Sequence, residues 1–168
     1  MRVHWIQHAE HEGLGCIAPW LAARGHTVSS TQAWKATAFP APADYDWLLL
    51  MGGPMNIYEH AAHPWLVAEK QAIRRALDAG KRVMGICLGA QLLSDQLGGP
   101  VVRNAHLEIG WHAVTLTAAA NAHPLLRGLT PIFTAFHWHG DRVTLPPDVP
   151  SLARSAACAE QLFAPRPN

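Results

Sequence analysis

A cysteine framed by glycines sits at the centre of the run Gly85-Ile86-Cys87-Leu88-Gly89-Ala90-Gln91. The apolar segment before it, Lys81 to Ile86, reads as a strand, and Leu88 to Leu97 carries helical spacing up to Gly98-Gly99. A strand that turns at once into a helix holds the residue at the turn clear of the backbone, and small residues on either side relieve the crowding. Such a turn is a nucleophile elbow. The first amides of the helix lack intrahelical partners and bring partial positive charge to the thiol, which predicts a lowered pKa for Cys87. Attack on an amide carbonyl also needs donors aimed at the developing oxyanion. The amide of Leu88 is one candidate, and the turn Gly52-Gly53-Pro54, closing the apolar run Asp46 to Met51, offers the other through Gly53. A cysteine by itself is most often inert core, and a Gly-Gly-Pro by itself is a turn. Their pairing at the ends of two apolar strands makes both candidates for chemistry.

The elements that must position these turns follow from periodicity and punctuation. Val3 to Gln7 reads as a strand, Leu14 to Arg24 as a helix closed by Gly25, and His26 to Ser29 as a second strand. Asp46 to Met51 is apolar without alternation, as a strand covered on both faces should be. Pro64 opens a helix in which Leu66, Ile73, Ala76 and Leu77 share one side, and Gly80 ends it. Downstream, Pro100 to Arg103, Trp111 to Thr117, Ile132 to His137, Arg142 to Leu145 and Leu152 to Ser155 read as short strands. The expected fold is α/β: a three-layer sandwich whose mostly parallel central sheet takes on some antiparallel strands. In such a sheet both turns lie at the carboxyl edge, where sites collect.

Composition bounds the alternatives. The chain has 168 residues, 49% hydrophobic and 15% charged, which fits one well-buried globular domain over 1–168 and excludes a disordered chain. Thirteen Lys plus Arg against twelve Asp plus Glu leave a net charge of +1, with no basic block to bind nucleic acid. Cys16, Cys87 and Cys158 are odd in number and lack metal-type spacing, which fits free thiols in a reducing compartment. The start lacks a signal-peptide core and Trp47 to Met51 is too short to span a bilayer, so the expectation is a cytoplasmic protein without membrane attachment. Closely spaced histidines (His4, His8 and His11; His137 and His139) have no convincing second ligand cluster, so no metal and no cofactor is expected.

Gly52-Gly53-Pro54-Met55 followed by Gly85-Ile86-Cys87-Leu88-Gly89-Ala90-Gln91-Leu92-Leu93 resembles the class I glutamine amidotransferases. Glu108-Ile109-Gly110-Trp111 and Phe136-His137-Trp138-His139-Gly140-Asp141 are similar to later signature segments of stand-alone, amidase-like members. The resemblance implies a flavodoxin-like sandwich and a small-molecule substrate, glutamine or a gamma-glutamyl compound. It also implies Cys87 as nucleophile, Gly53 and Leu88 as backbone oxyanion donors, and Gln91 as a substrate contact, with Glu108, Gly110 and His139 in the neighbourhood of the site.

Family members complete the triad with a His and a Glu on a strand after a segment like Cys158 to Ala164. Here the chain turns to Pro165-Arg166-Pro167-Asn168, so neither residue stands in the expected place. His137 and His139, on one face of a strand, are the substitute bases the sequence offers. Without the family's last elements the sheet should show apolar surface, to be covered by a second copy or another partner. A catalytically deficient relative acting as a binding or interaction module is the competing reading. A third is a sister superfamily whose elbow cysteine is redox-active.

Overall fold

A computed structural model of the protein describes residues 1–36 and 38–165. Arg166, Pro167 and Asn168, where the sequence turns away from the expected triad strand, lie outside the described residues. The chain divides into two compact units, Met1–Gln96 and Leu97–Asn168.

The first unit alternates strand and helix: β1 (Arg2–Gln7), α1 (Ile17–Ala23), β2 (Thr27–Gln32), β3 (Trp47–Leu50), α2 (Trp65–Asp78), β4 (Arg82–Gly85) and α3 (Leu88–Gln96). Its strands lie in the order β2-β1-β3-β4, all parallel, which is the flavodoxin-like order. The step from β1 to β2 runs one way and the step from β3 to β4 the other. Right-handed crossovers therefore put α1 and α2 on opposite faces. On the α1 face Leu21 packs with Val3, Leu14, Leu49 and Met51, flanked by Trp5, Ile17 and Trp47. Side chains alternate along a strand, so Leu48 and Leu50 point the other way, and they are fully buried along with Leu66, Ile73, Leu88 and Leu92 of α2 and α3. Each such side chain contributes about 1.5–3 kcal/mol. The unbroken apolar run of β3 is explained by this double covering.

The second unit holds β5 (Val101–Leu116), β6 (Ile132–Val143), β7 (Ser151–Arg154) and β8 (Leu162–Phe163), with two short 3-10 helices, Ala118–Ala122 and Pro124–Leu126, between β5 and β6. The strands pair antiparallel in the order β6-β5-β7-β8 as a separate sheet, not as additions to the parallel one. The two strands expected between Pro100 and Thr117 are one strand of 16 residues whose register shifts between Arg103 and Glu108. Asn104 makes that irregularity: its Nδ2 donates to the Ala157 carbonyl at 3.0 Å and its Oδ1 accepts from the Ala105 amide at 3.0 Å. A polar stretch that reads as a turn is thus a bulge within a strand. Likewise β6 runs unbroken through Trp138 to Asp141, where the sequence suggests a gap.

The β5–β6 ribbon has two unlike faces. Ile109 pairs with Trp138 and Trp111 with Phe136, forming an exposed aromatic stripe in which Trp111 is 75% and Trp138 72% accessible. The opposite face carries Glu108, His112, His137 and His139. Among the described residues no helix is long and apolar enough to cross a membrane.

Candidate functional site at the carboxyl edge of the parallel sheet

Strands β1, β3 and β4 run parallel, so the segments leaving Gln7, Leu50 and Gly85 emerge at one edge. Cys87 stands in the last of them with φ of +52°, the one non-glycine residue with positive φ among the described residues. An ordinary side chain held there stores about 1–3 kcal/mol, which the surroundings must over-determine. They do. A Cβ on Gly85 would run into the backbone of Gly89, and a Cβ on Gly89 into the backbone of Leu50. The Gly89 amide donates to the Ile86 carbonyl at 2.9 Å and the Met51 carbonyl at 3.1 Å, and the Ile86 amide to the Leu50 carbonyl at 2.9 Å. The glycines permit a contact between turn and β3 so close that Cys87 is forced out of line, exposed, at the head of α3.

The Gly52-Gly53 turn lies beside it. A Cβ on Gly52 would stand 3.7 Å from Cys87 Cβ and 2.6 Å from Glu12 Oε2, so turn, thiol and carboxylate are neighbours. A Cβ on Gly53 would meet His8 Cβ at 2.7 Å, and Leu88 Cδ2 and Met55 Sδ both at 2.8 Å, so position 53 has room for glycine alone. Gln91 follows one turn into α3, its amide bonded to the Cys87 carbonyl at 3.0 Å, and its side chain is buried.

The expected drop in thiol pKa is not found. Desolvation by the surrounding protein raises Cys87, the Leu88 amide opposes that rise, and the charge of Glu12 adds to it, leaving the thiol above its ordinary value. The helix-end effect predicted from sequence is present in the Leu88 contact but is outweighed. Glu12 leaves the chain just after β1 and was missed, although β1 ends at the same edge as β3 and β4.

A buried ion pair supports the turn from behind. His8 Nε2 lies 2.8 Å from Glu69 Oε1, with both side chains 0% accessible, and His8 Nδ1 donates to the Gly52 carbonyl at 3.1 Å. With Glu69 ionised both ring nitrogens face acceptors, so the ring is satisfied as imidazolium. Burial pushes the His8 pKa down, but the Glu69 hydrogen bond and charge, with the Gly52 and Met51 carbonyls, leave it raised. The indole of Trp65 stacks on the ring, centroids 5.7 Å apart. The signal for Glu69 was in the sequence: Leu66, Glu69, Ala72, Ile73 and Ala76 form the buried stripe of α2, where a carboxylate demands a partner. His4, grouped with His8 by spacing, is bonded separately to Ser29 Oγ at 2.8 Å and Thr31 Oγ1 at 2.9 Å.

The remaining predicted residues belong to the second unit. Glu108 and His139 are cross-strand partners with Nε2 and Oε2 3.0 Å apart, and Gly110 lies opposite His137. Burial raises the Glu108 pKa, but the Ser155 hydroxyl and the charges of His137, His139 and His112 together hold it below the usual range.

The model of the glutamine amidotransferase class-I family matches residues 18–162, across both units. The glutamine amidotransferase-like protein YfeJ of Salmonella typhimurium is 36% identical over 166 residues, covering 96% of this chain and 70% of its own length. The glutamine-hydrolyzing GMP synthase of Thermomicrobium roseum is 37% identical over 126 residues, covering 68% of this chain but 22% of the synthase. Among solved structures, a glutamine amidotransferase from Thermotoga maritima superposes with a TM-score of 0.90 at 30% identity, covering 98% of this chain and 71% of that one. A match of this extent, running through the elbow and the glycine turn beside it, leaves one assignment: the chain belongs to the class I glutamine amidotransferase family.

Proposed function

We propose that Cys87 attacks the side-chain amide of glutamine, or of a gamma-glutamyl compound, and that this chain works as a glutamine amidotransferase through a thioester. The observation that carries the reading is the exposed thiol at positive φ with the Gly52-Gly53 turn 3.7 Å from its Cβ by way of an added Cβ on Gly52. The name of the T. roseum enzyme, glutamine-hydrolyzing, supports the same bond as the one cleaved.

In the reaction the sulfur adds to the amide carbon, and the oxygen takes on negative charge that the Gly53 and Leu88 amides receive. The C–N bond then breaks, and the nitrogen leaves as ammonia carrying the proton that was on the thiol. Water adds to the thioester, releasing glutamate and restoring the thiol. Gln91 contacts the amino-acid end of the substrate, while Glu108, Gly110 and His139 are given no step. Because the thiol form of Cys87 dominates at neutral pH, turnover depends on a base that accepts its proton.

The test is inactivation by a glutamine-analogue electrophile, with the adduct mapped by mass spectrometry and glutaminase activity compared between the wild type and Cys87→Ala. Labelling confined to Cys87 and activity lost in the variant are expected. Equal activity in the two proteins would refute the proposal and favour the binding-module reading.

A further inference from the structure

On the face of the β5–β6 ribbon opposite the aromatic stripe, three ligand-type side chains converge. Glu108, His137 and His139 each offer an atom within 4.8 Å of the others. His139 Nε2 is 3.0 Å from Glu108 Oε2, and His137 Nδ1 is 3.5 Å from Glu108 Oε1. The antiparallel register brings this about: Glu108 is paired with His139, and Gly110, two residues on, with His137. The glycine puts no side chain on the shared face. A Cβ built there would meet nothing within 4 Å, so there is open space beside the cluster.

Two buried atoms of the cluster call for a partner. Glu108 Oε1 and His137 Nδ1 face one another at 3.5 Å, and neither has a hydrogen-bond partner among the described residues. His139 Nδ1 lies 3.0 Å from the Asp141 carbonyl, and its Nε2 is turned toward Glu108 Oε2 at 3.0 Å and Gln161 Nε2 at 3.4 Å. Glu108 is 1% and His137 8% accessible, so water does not compensate either atom.

The geometry points to a divalent transition-metal site, best matched to Zn²⁺, held by Glu108, His137 and His139. One ion among the three would take one Glu108 oxygen and both imidazoles, three protein ligands in all. Ligands at ~2.0–2.1 Å and a tetrahedral angle stand about 3.3 Å apart, so the three atoms, now within 4.8 Å of one another, would draw together around the ion. Two imidazoles and one carboxylate are borderline ligands of the kind zinc takes, with a fourth position left for water or another small ligand. The outer contacts fit as well. The Asp141 carbonyl fixes the His139 tautomer, Gln161 Nε2 donates to Glu108 Oε2 at 2.6 Å, and the His112 ring stacks on His137 at 5.2 Å.

The probe is Zn²⁺ itself, added to the full chain, which is then desalted and its bound metal measured by elemental analysis. One equivalent per chain is expected, and Co²⁺ in its place should give the visible absorption of a four-coordinate site. His137→Gln and His139→Gln should each weaken binding at least by the ~10–100-fold that loss of a mere supporting residue produces. Should a variant fail to fold, diethyl pyrocarbonate modification of the wild-type chain replaces it, with zinc expected to protect His137 and His139 over the other histidines. Absence of bound zinc, binding unchanged in the variants, or equal modification with and without zinc would overturn the site. None of these readouts depends on glutaminase activity.

Discussion

Removing Glu69 tests whether the Gly52-Gly53 turn rests on a buried imidazolium. In Glu69→Ala, His8 loses the acceptor on Nε2, and because its ring is fully buried the charge has no substitute partner. The ring sheds its proton and keeps the Nδ1 bond to the Gly52 carbonyl, leaving Nε2 unpaired. An unpaired buried polar atom costs about 1–3 kcal/mol. The one methylene removed adds roughly 0.8 kcal/mol. The sum, roughly 2–4 kcal/mol, overlaps the about 3–5 kcal/mol found when one partner of a buried pair is deleted. For a chain of this size that is a fall in Tm of about 4–16 °C. The sign of its pH dependence is the sharper test. In the wild type the His8 pKa is raised above its unfolded value, so the stabilisation is complete below about 6.5 and is lost as pH rises through the folded pKa. In the variant the folded pKa falls below 6.5, so the dependence reverses and the loss of stability is larger at pH 5.5 than at pH 8.5, by about 1.4 kcal/mol per unit of pKa separation. Urea unfolding followed by tryptophan fluorescence reads it directly, with Trp65 on the His8 ring as a local reporter. A loss of stability that is independent of pH, or larger in alkali, would refute the imidazolium assignment.

Four further outcomes are expected. Gly89→Ala places a methyl against the Leu50 backbone, which cannot swing away, and should destabilise by at least ~1–3 kcal/mol in thermal unfolding. Leu21→Ala empties a position with no accessible surface and should lose about 2–5 kcal/mol in urea. Glu12→Gln removes the negative charge that raises Cys87, so the midpoint of the pH–rate profile for alkylation of Cys87 should move to lower pH; a midpoint that stays or rises contradicts the placement of Glu12. The Arg2 guanidinium and amide hold Asp46 at about 2 from a usual 3.8, so the stability this contact contributes is present above 3.8 and disappears as pH falls through about 2. The difference in Tm between the wild type and Asp46→Asn should therefore shrink on acidification.

The parallel unit was legible because its cues are local. The run before Gly52 is apolar at every position, since β3 is covered on both faces, and Gly25 (φ +65°) and Gly80 (φ +67°) close helices where the sequence places them. The second unit resisted because its ribbon inverts the usual rule. Leu107, Ile109 and Trp111 face outward while Glu108 is buried between them, so a reading that turns apolar residues inward assigns the faces of β5 backwards. The polar residues of the inner face then look like breaks between strands. One consequence is that the convergence of Glu108 with His137 and His139 is invisible to spacing rules because strand register creates it, and only the family resemblance puts Glu108 and His139 in one neighbourhood.

The same division runs through the elbow. Its shape is written within five residues, Gly85 to Gly89, because the steric need for two glycines around a displaced cysteine is a property of the turn and its strand. Its electrostatics are not. The Leu88 amide does lower the Cys87 pKa as a local reading predicts, but Glu12, distant in sequence, and the desolvating mass of the fold decide the net direction. Short motifs therefore report which atom is presented, whereas the ionisation of that atom belongs to segments that only the parallel sheet brings to the same edge. A comparison of Cys87 alkylation in the intact chain and in a short peptide spanning the elbow measures that difference. The peptide thiol should titrate at the lower pH, since it is free of both desolvation and Glu12, and the opposite order would mean that the helix end, not the fold, controls the sulfur.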